Sequence, residues 1–115
     1  MKKAVVTGGA GFIGSHLSRA LLTAGYEVHV IDNLVNGKKE DVPEGAVFYE
    51  LDILDMEGIM PVIRGADVVF HLAAVYALWT RDHGRRMRHV NVEGTRIVLA
   101  AAREAGVGRV VHTSS

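Results

Sequence analysis

Short apolar runs alternate with amphipathic stretches along this chain, and the alternation starts at once. Ala4, Val5 and Val6 form a run that reads as a buried parallel strand. Phe12, Ile13, His16, Leu17, Ala20, Leu21 and Ala24 recur at three- and four-residue spacing, which predicts an amphipathic helix with these positions on its apolar side. Gly25 stands where a helix commonly ends in a left-handed residue. Glu27 to Ile31 alternates into a second strand that ends at Asp32. Asn33 to Gly45 has no apolar period and reads as a loop, and Val47 to Leu51 as a short third strand. Asp55 to Ile63 is helical in pattern, with Asp55 as N-cap and Ile59, Met60 and Ile63 inward, and Gly65 ends it. Asp67 to Leu72 is apolar enough for a central fourth strand. Arg81 to Ala105 is a long helix with Met87, Val90, Gly94, Ile97, Ala101 and Ala105 along one side, closed by Gly106 and Val107. Arg109 to Thr113 makes a fifth strand.

Strands separated by helices at this spacing imply βαβ units, hence an α/β fold with a doubly wound parallel sheet. The right-handed crossover rule favours strand order 3-2-1-4-5. At 115 residues the chain is one domain, with no internal repeat.

Between the first strand and the first helix lies Gly8-Gly9-Ala10-Gly11-Phe12-Ile13-Gly14. Gly9, Gly11 and Gly14 satisfy G-x-G-x-x-G, while Gly8, Gly11 and Gly14 satisfy G-x-x-G-x-x-G. Such a turn lets backbone approach a pyrophosphate, and the free N–H groups of the helix's first turn then face the anion. Alone such a match is weak; a strand before it, a helix after it and an acid downstream make it a much stronger sign of a dinucleotide site. Asp32 is that acid, 18 positions after Gly14, near the ~20-residue separation at which a carboxylate accepts from ribose hydroxyls. A carboxylate there repels a 2′-phosphate, so NAD is favoured over NADP. Lys38 and Lys39 are read as solvated loop charges.

Composition removes several other classes. Lys and Arg total 13 against 13 Asp and Glu, so the chain has no general electrostatic pull toward nucleic acid or an anionic membrane. No apolar run nears the ~18 residues of a spanning helix, and the first residues enter a strand directly, without a signal-peptide pattern. There is no cysteine, hence no disulfide framework and no thiolate chemistry. A cytoplasmic protein is the plain expectation. His71 and His112 lie in apolar strands without partners at metal spacing and read as core or edge histidines, and His16 as packing. No G-K-[ST] follows the glycines and no G-x-S-x-G elbow accompanies Ser114 and Ser115. Arg81, Arg85, Arg86, Arg88 and His89 form a basic cluster that reads as a solvated helix face.

TGGAGFIGSHL, IDNL with NGKKEDVP, LDI, HLAA, NVEGT and RVVHTSS follow one another in the order found in extended short-chain dehydrogenases/reductases. Over all 115 residues the chain resembles their NAD-dependent epimerase/dehydratase group, and from Ala74 to Ser115 also its reductase-like branch. The resemblance implies a Rossmann-type domain over 1–115. It implies that Gly8, Gly11 and Gly14, with the N–H groups of Phe12 and Ile13, hold the pyrophosphate. Asp32 and Asn33 bind the adenosine ribose. Asp52 and Ile53 read the adenine edge, the carboxylate by hydrogen bonding and the aliphatic chain by packing. Leu72, Ala73 and Ala74 form a small-residue turn beside the cofactor. Asn91 is a structural or cofactor-contacting asparagine, Thr113 a cofactor contact and Ser115 the catalytic serine. Tyr76 departs from the pattern, standing where UDP-galactose-type epimerases carry a lysine.

In that family a tyrosine, its pKa lowered by a lysine four residues on, moves a proton at the substrate hydroxyl. Here the residues four beyond Tyr26, Tyr49 and Tyr76 are Val30, Ile53 and Thr80, and the lysines are Lys2, Lys3, Lys38 and Lys39. The expectation is therefore the first five strands of an epimerase, dehydratase or reductase, truncated after strand five, ending at its catalytic serine and not catalytic alone. The parent's nucleotide-sugar substrate would be held by a part not present. A non-catalytic dinucleotide-binding or sensing module is the alternative. An exposed fifth strand and helix flank predict a homo-oligomer.

Overall fold

The computed structural model describes residues 1–34, 37–72 and 85–112, with backbone alone for 85–92. In chain order the elements are β1 (Lys3–Thr7), α1 (Phe12–Thr23), β2 (Glu27–Asp32), a 3-10 turn (Lys39–Asp41), β3 (Val47–Glu50), α2 (Met56–Ile63), β4 (Val68–His71), α3 (Arg85–Ala105) and β5 (Arg109–His112). The strands form one parallel sheet in the order β3-β2-β1-β4-β5, as the alternating pattern predicts. Thr7 pairs with both Ile31 and His71, and His71 with His112, so the strands finish at one edge. The order reverses between β1 and β4, and in such sheets ligands collect outside the strand ends at that reversal.

Alternation of side chains divides the core into two layers. Val5, Ile31 and Val69 face α2 and α3, packing with Ile53, Ile59, Val62, Ile63, Val98, Ala101 and Ala102. Ala4, Val6, Val28, Val30 and Val68 face α1 through Leu21, with Leu17 and Leu22 at the margin. Gly94 of α3 lies hard against Ile53, where a Cβ would overlap the Ile53 side chain.

The rotation of α1 differs from the apolar periodicity. Its buried residues are Gly14, Ser15, Ser18 and Leu21, whereas Phe12 is 81% and Ile13 65% exposed and His16, Ala20 and Ala24 also face outward. Gly14 is the cause: a Cβ there would strike the Gly8 carbonyl oxygen and stand 2.7 Å from Gly9 Cα. The helix rests on the backbone of its own preceding turn, and the small residues beside Gly14 follow it inward. Ser18 Oγ is buried there without a hydrogen-bond partner among the described residues.

Helix ends follow local chemistry. Asp55 caps α2 by accepting from Gly58 N at 3.1 Å. Gly25 (φ 93°) closes α1, with Tyr26 N donating to Leu21 O and Gly25 N to Leu22 O, both at 3.0 Å. Gly106 (φ 74°) closes α3 in the same way through Val107 N and Ala102 O at 2.9 Å, the Schellman arrangement. No helix among the described residues is long and apolar enough to cross a membrane.

Candidate functional site: a glycine turn at the sheet reversal

β1 leads into the glycine turn through Gly8, whose φ of 78° is open to glycine at little cost. Gly8 N donates to Ile31 O at 2.7 Å, which carries the turn across the end of β2. Gly9 must be small, since a Cβ would lie 2.5 Å from Val30 Cγ1. Gly11 is different. Its backbone is extended (φ −81°, ψ 177°), and a Cβ would meet only Gly8 O, at an ordinary 3.4 Å. Neither conformation nor crowding among the described residues calls for glycine there. The vacancy lies at the N-cap of α1, which has no capping side chain and no acid in the first turn. The N–H groups of Phe12, Ile13 and Gly14 take part in no hydrogen bond among the described residues; the ladder starts with Ser15 N on Gly11 O at 2.8 Å. Unpaired N–H groups at the positive end of a helix dipole, beside a side-chain-free position, make an anion receptor.

Asp32, at the end of β2, is 9% exposed and turned toward the glycine turn. Its Oδ2 accepts from Ala10 N at 3.0 Å and its Oδ1 from Leu34 N at 2.8 Å. Asn33 follows it, exposed, and Leu34 takes a left-handed φ of 64°. Across β3, Asp52 is exposed, with Oδ1 accepting from Leu54 N at 2.9 Å. Ile53 is 6% exposed, its side chain buried in the core against Gly94. Its side chain thereby joins the end of β3 to α3.

At the end of β4, His71 is 1% exposed. Its Nδ1 lies 2.7 Å from Thr7 Oγ1 and its Nε2 3.0 Å from Thr95 Oγ1, which links β1, β4 and α3. Leu72 N donates to Thr7 O at 3.0 Å and to Thr7 Oγ1 at 3.2 Å, so the start of the turn after β4 is tied to the same threonine. The His112 ring stacks on His71 with centroids 5.1 Å apart. Burial, and secondarily the His112 charge, push His71 down to about 4. A second polar cluster joins His29 to Tyr49 OH and Glu27, both at 2.9 Å, between β2 and β3. The His29 contact lowers the Glu27 pKa. No group of three or more His, Cys, Asp or Glu among the described residues could hold a metal.

Residues 4–115 match the NAD dependent epimerase/dehydratase family. This chain belongs to that family. A UDP-glucose 4-epimerase of Streptomyces lividans is 41% identical over 98% of the chain and 36% of its own length. A putative dihydroflavonol 4-reductase of Synechocystis is 41% identical over 96% of the chain and 32% of its own length. Among solved structures, the UDP-glucose 4-epimerase of Thermus thermophilus in complex with NAD is 40% identical, with a TM-score of 0.85 over 94% of this chain and 36% of that one. The Brucella ovis UDP-glucose 4-epimerase in complex with NAD is 33% identical, with a TM-score of 0.90 over 99% of this chain and 36% of that one. The chain spans about a third of the length of the curated relatives it matches.

In this epimerase/dehydratase chain the structure brings Gly8, Gly11, Phe12, Ile13, Gly14, Asp32, Asn33 and Leu72 to the strand-end edge, with Asp52 and Ile53 just beyond β3. Ala73, Ala74, Tyr76, Arg81, Thr113 and Ser115 lie outside the described residues, and Asn91 sits on α3 with only its backbone described. Sequence reasoning passed over Ala10, Thr7 and Thr95. Ala10 occupies an unassigned x of the glycine motif, and the two threonines pair with His71 across 64 and 24 positions, beyond any local pattern.

Proposed function

We propose that this chain binds a dinucleotide, NAD in preference to NADP, as the cofactor-binding portion of an epimerase, dehydratase or related reductase. The observation that carries the reading is Gly11: a position where the described residues impose no need of glycine, left bare in front of helix N–H groups that have no partner among those residues. In this reading Gly8, Gly11 and Gly14 shape the turn and the N–H groups of Phe12 and Ile13 hold the pyrophosphate. Asp32 and Asn33 bind the adenosine ribose, Asp52 and Ile53 read the adenine edge, Leu72, Ala73 and Ala74 supply the small-residue turn beside the cofactor, Asn91 has a structural or cofactor-contacting role, and Thr113 is a further cofactor contact. Each Asp32 oxygen accepts one N–H in the structure and keeps capacity for another donor, so the carboxylate fits ribose hydroxyls and disfavours a 2′-phosphate. Bound nicotinamide supplies a hydride acceptor or donor.

The residues of this chain supply binding and orientation. Ser115 is the one member of the family's proton-handling set among them, and no Tyr-x-x-x-Lys pair is present. We therefore expect cofactor binding without turnover of a nucleotide-sugar by these 115 residues. Calorimetric titration tests this: NAD binds and raises the melting temperature, NADP binds at least tenfold more weakly, and no epimerase or dehydrogenase activity accompanies binding. Absence of heat and of any thermal shift at millimolar NAD overturns the cofactor assignment, and NAD-dependent turnover overturns the second half.

A further inference from the structure

Ala10 is held from both sides by a single neighbouring segment. Its N–H donates to Asp32 Oδ2 at 3.0 Å, and its C=O accepts from Lys38 N at 3.2 Å. Ala10 is fully buried, and Gly37 lies so close that a Cβ there would stand 2.6 Å from the Ala10 carbonyl. The other Asp32 oxygen fixes Leu34 in its left-handed conformation, which a leucine adopts only when its surroundings enforce it. One carboxylate thus organises both the middle of the glycine turn and the bend that follows β2.

We infer that Asp32 is a positioning residue for the pyrophosphate receptor as well as a ribose ligand, so that the two halves of the nucleotide site stand or fall together. Through Ala10 the carboxylate sets the path of the backbone between Gly8 and Gly11, and with it the aim of the N–H groups of Phe12 and Ile13. The inference rests on the dinucleotide reading above. It has a consequence for cofactor preference: removing the carboxylate to admit a 2′-phosphate also loosens the cradle for the diphosphate common to NAD and NADP.

Inorganic pyrophosphate, which has no ribose, separates the roles. Amide resonances are followed during pyrophosphate, adenosine and NAD titrations of the wild-type chain, Asp32→Asn and Asp32→Ala. Removing a negative charge by itself favours an anion, so a residue acting only on ribose leaves pyrophosphate affinity unchanged or raised in both variants. Positioning predicts the opposite: Asp32→Ala binds pyrophosphate at least tenfold more weakly, and its Ala10 amide exchanges at least tenfold faster. Asp32→Asn, which keeps one acceptor oxygen but presents N–H to the other amide, falls between. Should Asp32→Ala fail to fold, Asp32→Asn decides by the sign of its change. The wild-type chain gives a variant-free check, since pyrophosphate alone then shifts the Leu34 amide; an unmoved Leu34 overturns the inference, as does unchanged or tighter pyrophosphate binding in the variants. A wild-type chain that binds neither NAD nor pyrophosphate overturns the dinucleotide reading instead.

Discussion

Gly11 and Gly14 are three residues apart in one motif and do different work. At Gly14 an added methyl group meets the backbone of Gly8 and Gly9, which cannot retreat without moving β1. Gly14→Ala is expected to cost about 3 kcal/mol, as overpacking against backbone does. At Gly11 the methyl group finds space and an ordinary φ, so Gly11→Ala leaves stability within about 1 kcal/mol of wild type and raises it if anything, through a less flexible unfolded chain. The same substitution should weaken NAD at least tenfold. Urea denaturation beside NAD titration of both variants checks this; equal losses of stability would refute the division. The spacing of the glycines marked out the turn and pointed to the carboxylate downstream, but which glycine the fold itself requires was not legible. That distinction lies in what each missing Cβ would touch, and those atoms come from elsewhere in the chain. Ala10 was illegible for the same reason: its neighbours are Asp32, Gly37 and Lys38.

Among the elements, boundaries and type followed the apolar pattern closely, because a parallel strand buried on both faces reads as a short hydrophobic run. The face of α1 did not. Periodicity reports where apolar side chains lie, whereas this helix is oriented by a glycine contact and leaves Phe12 and Ile13 outside. At β4 a histidine replaces an aliphatic residue and is satisfied by one threonine on β1 and one on α3. His71 is neutral in the fold down to about pH 4, whereas in the unfolded chain it protonates near 6.5. Between those values the unfolded state holds more protons, so stability rises with pH and is lost on acidification. Over the whole window the loss amounts to about 3 kcal/mol. Urea unfolding at pH 7, 5.5 and 4.5 should show this slope, and His71→Gln should flatten it despite a lower starting stability. A slope unaltered in His71→Gln would assign the acid sensitivity to other groups.

At the scale of the molecule, strand order was legible from the alternation of elements and the handedness of crossovers alone, and the structure has that order. Its two outer strands are short. β5 pairs with β4 along one side, its Val111 is 37% exposed, and Leu99 on α3 is 45% exposed. Among the described residues β5 has a strand neighbour on one side alone, and such an edge beside exposed apolar side chains favours pairing with a second copy of these 115 residues. Sedimentation at tens of micromolar is expected to show dimers or larger species, with Val111→Lys shifting the population toward monomer. A wild-type chain that sediments as a clean monomer would contradict this.

β1 is early in the chain but central in the sheet, and this has a bearing on synthesis. Val5 sits between His29 on one side and Val69 on the other. At ribosomal rates of about 5–20 residues per second, the stretch between the end of β2 and the end of β4 takes roughly 2–8 s to appear. Throughout that interval β1 and β2 can pair, yet the opposite edge of β1, with Val5 and Val6, has no neighbour. The nascent chain therefore carries the strand that ends up most buried half-covered until His71 has been made, and it is in that interval, rather than after folding, that it most needs a chaperone's cover.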